Sequence, residues 1–131
     1  MIKAFRYSVL IWAIVLSANI SNGSDHLKAA QQGNTMEITI FARFHAIEGK
    51  EEAVASELRD TVKRVRPEPG CLGIEVYRSV RDPRLFFLHS RWLDEAAFDR
   101  HVELPQTNAF VERMQRLIDH PFDVNRMRLL P

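Results

Sequence analysis

Between Met36 and Pro131 the apolar residues switch back and forth between a period of two and a helical period, and this order restricts the fold more than any other feature. Glu37 to His45 alternates, with Ile38, Ile40, Ala42 and Phe44 on one side and Glu37, Thr39, Phe41, Arg43 and His45 on the other. That is a strand with one apolar face. Glu48-Gly49-Lys50 is a turn. Val54, Leu58, Val62 and Val65 then recur at helical spacing, and Pro67-Glu68-Pro69-Gly70 stops the helix. Leu72 to Arg78 predicts a second strand and Asp82-Pro83 a turn. Leu85 to Trp92 is almost continuously apolar, as a central strand is. Asp94 is placed to cap a helix through Ala96, Ala97, Phe98, His101 and Val102. Pro105 breaks or kinks it, and Phe110, Met114, Leu117 and Ile118 carry helical spacing onward. Val124 to Leu130 alternates weakly and predicts a last strand.

The order βαββαβ defines an α+β, ferredoxin-like domain spanning 36–131. Such a sheet has helices on one face only. The other face is left to solvent or to a second chain. Phe41 and Phe87 are candidates for that face, so sheet-to-sheet pairing into a homodimer is expected. Arg43 and Glu75 are expected to pair across adjacent strands, and His89 to lie at the dimer face.

The segment before this domain has a different character. Lys3 and Arg6 precede the apolar run Val9 to Leu16, and the small or polar residues Ser17, Ala18, Asn19, Ser21, Asn22, Gly23 and Ser24 follow. Basic, apolar, then small and polar is the order of a secretory signal peptide. The run is shorter than the ~20 residues that span a bilayer. Residues 1–23 are therefore expected to be a signal peptide and 24–35 a polar linker, which makes the protein exported, periplasmic or secreted, with no membrane association after cleavage.

Net charge excludes one class of partner. The whole chain carries +1, but Lys3, Arg6 and Lys28, together with Asp25, lie before Met36, so the domain itself carries −1. A near-neutral domain lacks the basic footprint of a nucleic-acid binder. Cys71 is the single cysteine, so no disulfide forms within the chain and the core must hold the fold. There is no phosphate loop or dinucleotide fingerprint, so NAD, FAD and ATP are not indicated. No H-x-H, C-x-x-C or H-E-x-x-H spacing is present, so no metal site is expected, at His45 and His89 included.

Several stretches carry a resemblance. Ile40-Phe41-Ala42-Arg43-Phe44, Gly49-Lys50-Glu51 and Glu68-Pro69-Gly70-Cys71-Leu72 are three of them. Asp82-Pro83, Trp92, Asp94-Glu95-Ala96-Ala97-Phe98 and His101 follow in order. Together they resemble the antibiotic biosynthesis monooxygenase family, in its quinol monooxygenase-like branch, over nearly all of 36–131. The resemblance implies a ferredoxin-like subunit that pairs into a dimeric α+β barrel. It also implies oxidation of a quinol or phenolic small molecule by molecular oxygen, with no metal or flavin.

On that resemblance His101 is the candidate catalytic base. It lies three residues after Phe98, on the same helical face, and imidazole titrates near neutral pH. Trp92, Phe98, Phe110 and Ser90 are the candidate substrate-binding residues. Two positions depart from the branch, where a glutamate usually stands at Ser90 and a histidine at Gln106. Neither serine nor glutamine acts as a base at neutral pH, so the departures favour an alternative: a non-catalytic, small-ligand-binding barrel protein. A haem-degrading relative is disfavoured, because those carry an asparagine on the first strand where Phe41-Ala42-Arg43 stands here.

Overall fold

The computed structural model describes residues 36–131. The expected signal peptide and linker lie outside the described residues. The elements are β1 (Ile38–His45), α1 (Glu51–Val65), β2 (Cys71–Arg78), β3 (Leu85–Trp92), α2 (Glu95–Glu103), α3 (Pro105–Gln115) and β4 (Asp123–Met127). The four strands form one antiparallel sheet in the order β2-β3-β1-β4, the ferredoxin-like arrangement.

The alternation in β1 is realised residue by residue: Ile38, Ile40, Ala42 and Phe44 are buried beneath the helices. β3 sits beside it with Phe86, Leu88, Ser90 and Trp92 facing the same way. α1 lays Val54, Leu58 and Val65 on this surface. Glu51 and Glu52 in its first turn and Lys63 and Arg64 in its last complement the helix dipole at both ends. Trp92, Phe44, Ile38, Ile40, Leu58, Met114 and Val54 are the largest wholly buried side chains and form the centre of the core.

α2 starts where the sequence places it, with Asp94 Oδ1 accepting from the Ala97 amide at 2.8 Å. Pro105 does not kink one helix but separates two. Leu104, the residue before it, is extended (φ −66°, ψ 137°), because a proline disfavours helical geometry in its predecessor. Thr107 Oγ1 donates to the His101 carbonyl at 2.7 Å and fixes the corner between α2 and α3.

Two expectations are corrected. β4 ends at Met127 rather than Leu130, since Met127 already pairs with Thr39 at the start of β1 and the ladder runs out there. Leu129 and Leu130 are exposed. Arg43 and Glu75 do not pair, because β3 lies between their strands. Glu75 instead accepts from His89 Nδ1 at 3.1 Å, and Arg43 donates to His120 Nε2 at 3.2 Å. His89 lies on the helix-free face with Phe41, their rings 5.0 Å apart. Phe41, Phe87, Tyr77 and Met127 are all exposed on that face.

Candidate functional site

A cavity of about 500 Å³ lies between the sheet and the helices. All five sequence-nominated residues, Ser90, Trp92, Phe98, His101 and Phe110, line it. The sheet supplies its floor through Ile40, Ala42, Leu88, Ser90 and Trp92, and α2 and α3 supply its walls. Phe122 and Arg126 close it along the β4 side. The lining is mainly apolar, with a few converging polar groups, as small-molecule sites are.

His101 is held at one end of this cavity by aromatic rings. The Trp92 ring centroid is 4.9 Å from it and that of Phe98 is 5.6 Å. Trp92 is itself fixed, because its indole N–H donates to Ser90 Oγ at 3.0 Å inside the core. Ser90 therefore orients the tryptophan as well as lining the cavity. The Arg126 guanidinium lies over the Phe98 ring, 4.9 Å from its centroid, and Phe44 stacks on Phe122 at 5.1 Å.

The residue that sequence reasoning missed is Glu68. Its Oε2 accepts from His101 Nδ1 at 2.7 Å, and its Oε1 accepts from Gln106 Nε2 at 2.7 Å. The histidine and the glutamate are both largely buried, with side chains 14% and 10% exposed. A carboxylate accepts at both oxygens, so Nδ1 is the donor towards Glu68, and a neutral ring then has its lone pair on Nε2. Nε2 makes no hydrogen bond among the described residues. The Glu68 contact thus fixes which nitrogen of a neutral ring holds the proton, on a side chain that lines the cavity. Gln106 completes this pair by holding the second oxygen of Glu68.

A backbone feature brings Glu68 to His101. Gly70 has φ +87°, and a Cβ there would meet the Ala97 Cβ at 2.5 Å. Only glycine lets the Pro67-Glu68-Pro69-Gly70 turn approach α2 this closely. The Gly70 carbonyl accepts from the Leu93 amide at 2.9 Å, which anchors the turn beside the start of α2.

Other ionisable groups nearby are accounted for by pairing or burial. Arg113 and Arg64 beside Glu57 hold its carboxyl below the ordinary range, with the Arg113 hydrogen bond as the largest cause. Burial pushes the Cys71 thiol up, so it is not a thiolate nucleophile at neutral pH. Among the described residues one set, His45, Asp119 and His120, brings together donors that metals bind, and none of the three lines the cavity.

The comparisons with known proteins agree with this architecture. The family model described as "Antibiotic biosynthesis monooxygenase" matches residues 37–113. The Bacillus subtilis protein named "Putative monooxygenase YcnE" is 31% identical over 80 residues, covering 61% of this chain and 84% of its own. Among solved structures, PA3566 from Pseudomonas aeruginosa is 28% identical with a TM-score of 0.67, covering 73% of this chain and 96% of its own. A mutant form of SnoaB, a cofactor-independent oxygenase from Streptomyces nogalater, is 18% identical with a TM-score of 0.65, covering 71% and 92%, and shares the fold. A sheet in the β2-β3-β1-β4 order, a cavity beneath its helices and a family match across most of the domain lead to one conclusion: the chain belongs to the antibiotic biosynthesis monooxygenase family.

Proposed function

We propose that this protein is a cofactor-independent monooxygenase that oxidises a quinol or phenolic small molecule with molecular oxygen. The observation that carries the reading is the His101–Glu68 pair set against an aromatic-walled cavity. A phenol placed between Trp92, Phe98 and Phe110 gives its hydroxyl proton to His101 Nε2, while Glu68 stabilises the imidazolium that forms. The phenolate is electron-rich enough to pass an electron to oxygen. Recombination forms a carbon–oxygen bond at the ring position para or ortho to the hydroxyl. Loss of water then turns that C–H carbon into a carbonyl. One oxygen atom enters the product and the other leaves as water, and the substrate supplies every electron.

The protein works as an exported homodimer in this reading. Phe41 and Phe87 on the central strands, with Tyr77 and Met127 on the edge strands, support pairing, since all four expose apolar surface on the helix-free face. The basic and apolar order of residues 1–23 supports export. The test is oxygen uptake with dihydroxynaphthalenes and related phenols, comparing wild type with His101→Ala. Wild-type uptake that falls at least about a hundredfold in the variant supports the reading. Equal rates remove His101 from the mechanism. Co-purified ligand returned unchanged, with no uptake across the panel, replaces the enzyme by a binding protein.

A further inference from the structure

We propose that His45, Asp119 and His120 form a binding site for a divalent transition-metal ion of the zinc type, separate from the cavity. One donor atom from each lies within 4.8 Å of the others. They come from distant parts of the chain. His45 closes β1, and Asp119 and His120 follow α3. The isolated bridge between Ala46 and Ile118 ties the two segments, and so does the Asp119 amide donating to the His45 carbonyl at 3.0 Å. Spacing motifs are blind to such a set. Two imidazoles and a carboxylate are the donors that zinc and its neighbours take, and three protein ligands leave a position open for water or an external ligand.

The groups around these three are arranged as outer partners of a metal site. His45 Nε2 lies 3.1 Å from Asp82 Oδ2 and its Nδ1 2.6 Å from Asp119 Oδ2. A neutral imidazole donates from one nitrogen only, so a ring between two carboxylates needs a second proton or a cation on one side. With Nε2–H given to Asp82, Nδ1 presents its lone pair towards Asp119 and His120. That is the carboxylate–histidine–metal arrangement in which an outer carboxylate fixes the tautomer. Asp119 is steadied in the same way: Arg84 Nη2 donates to Oδ2 at 2.8 Å, while Oδ1 faces His120 Nδ1.

The geometry needs a small adjustment. Metal–ligand bonds of ~2.0–2.1 Å in a tetrahedron put donors ~3.3 Å apart, so the 2.6 Å gap between His45 and Asp119 opens by about 0.7 Å, within the reach of side-chain rotation. Two contacts oppose binding. The Arg84 guanidinium takes a lone pair of Asp119 Oδ2 at 2.8 Å and brings a positive charge beside the site. Arg43 Nη1 donates to His120 Nε2 at 3.2 Å, whereas a ring that ligates through Nδ1 carries its proton on Nε2. Arg43 is exposed and free to turn away.

The test is titration of tag-free, chelator-treated protein with Zn2+ by calorimetry and with Co2+ by visible absorption. The expected result is one Zn2+ per chain and the intense absorption of tetrahedral Co2+. Asp82→Asn weakens binding by about 10–100-fold, Arg43→Ala strengthens it, and His120→Gln removes the Co2+ band. Because His120 is at the surface, His120→Gln is expected to keep its fold, and circular dichroism melts without metal separate a lost ligand from a lost structure. No binding by wild type, or equal Zn2+ affinity in His120→Gln, overturns the site and leaves the cluster as an ion-pair clamp between β1, the β2–β3 turn and the end of α3. None of these readouts depends on turnover in the cavity.

Discussion

Glu68→Gln separates a mechanism from a mere cavity. The carboxylate accepts two hydrogen bonds of 2.7 Å, one from His101 Nδ1 and one from Gln106 Nε2. An amide has one accepting oxygen. If that oxygen stays on His101, its NH2 faces the NH2 of Gln106. If it turns to Gln106, its NH2 faces His101 Nδ1 and drives the ring proton to Nε2, where it blocks the base. Either way the variant loses the negative charge that stabilises the imidazolium. General-base assistance contributes about 10²–10⁴ in rate, so kcat is expected to fall about 10²–10³-fold, or ~3–4 kcal/mol of barrier. Losing a charge-assisted bond also destabilises the fold by about 1.5–3 kcal/mol, so melting temperature must be measured alongside. The assay is oxygen uptake against pH, with nitrogen-15 spectra of His101 reporting the tautomer. A Glu68→Gln variant with wild-type kcat and an unchanged His101 tautomer would rule out this role for the carboxylate.

Three other outcomes follow from the packing. Phe41→Glu combined with Phe87→Glu puts two charges in the middle of the helix-free face and converts a dimer into a monomer in light scattering; a monomeric wild type would end the dimer proposal. Gly70→Ala meets both a positive φ and the Ala97 Cβ, so it costs roughly 1–3 kcal/mol or more by denaturant titration and loosens the Glu68 turn. An unchanged midpoint would be inconsistent with the close approach. Glu57 has its carboxyl held down by Arg113, so its contribution to stability is present above the unfolded value of ~4.3 and is lost as pH falls through the lower folded value. Arg113→Ala should therefore lower the melting temperature at pH 7, and the gap from wild type should shrink in strong acid, which a pH series of thermal melts would check.

Much of the fold is legible because burial imposes its period on the sequence. β1 carries apolar residues at alternate positions since one face lies under the helices, and β3 is nearly continuously apolar since it is a central strand. β4 is hardly legible: it is an edge strand whose residues are all exposed, and its end is set by the length of β1. The wrong partner for Arg43 has a similar origin, because strand order is a property of the sheet and leaves no mark on either strand alone. That His101 and Phe98 share a face is legible in helical spacing, and that Trp92 shares one with Ser90 is legible in strand alternation. Glu68 was hidden inside a helix-stopping turn. Its role depends on a contact across 33 positions that only the packing of Gly70 on Ala97 makes possible. His45, Asp119 and His120 were hidden for the same reason, their donors meeting through a backbone bridge and not through a local motif.

If a phenolic substrate in the His101 cavity reacts directly with oxygen, the new oxygen atom in the product must come from the gas. Turnover of metal-stripped protein under heavy-isotope oxygen, followed by mass spectrometry of the product, reads this directly. The expected result is one heavy oxygen atom per product molecule, in the carbonyl formed at the former C–H carbon, with a rate that depends on both His101 and Glu68. Product label drawn from water, or no product from any phenol tested, would overturn the proposed reaction.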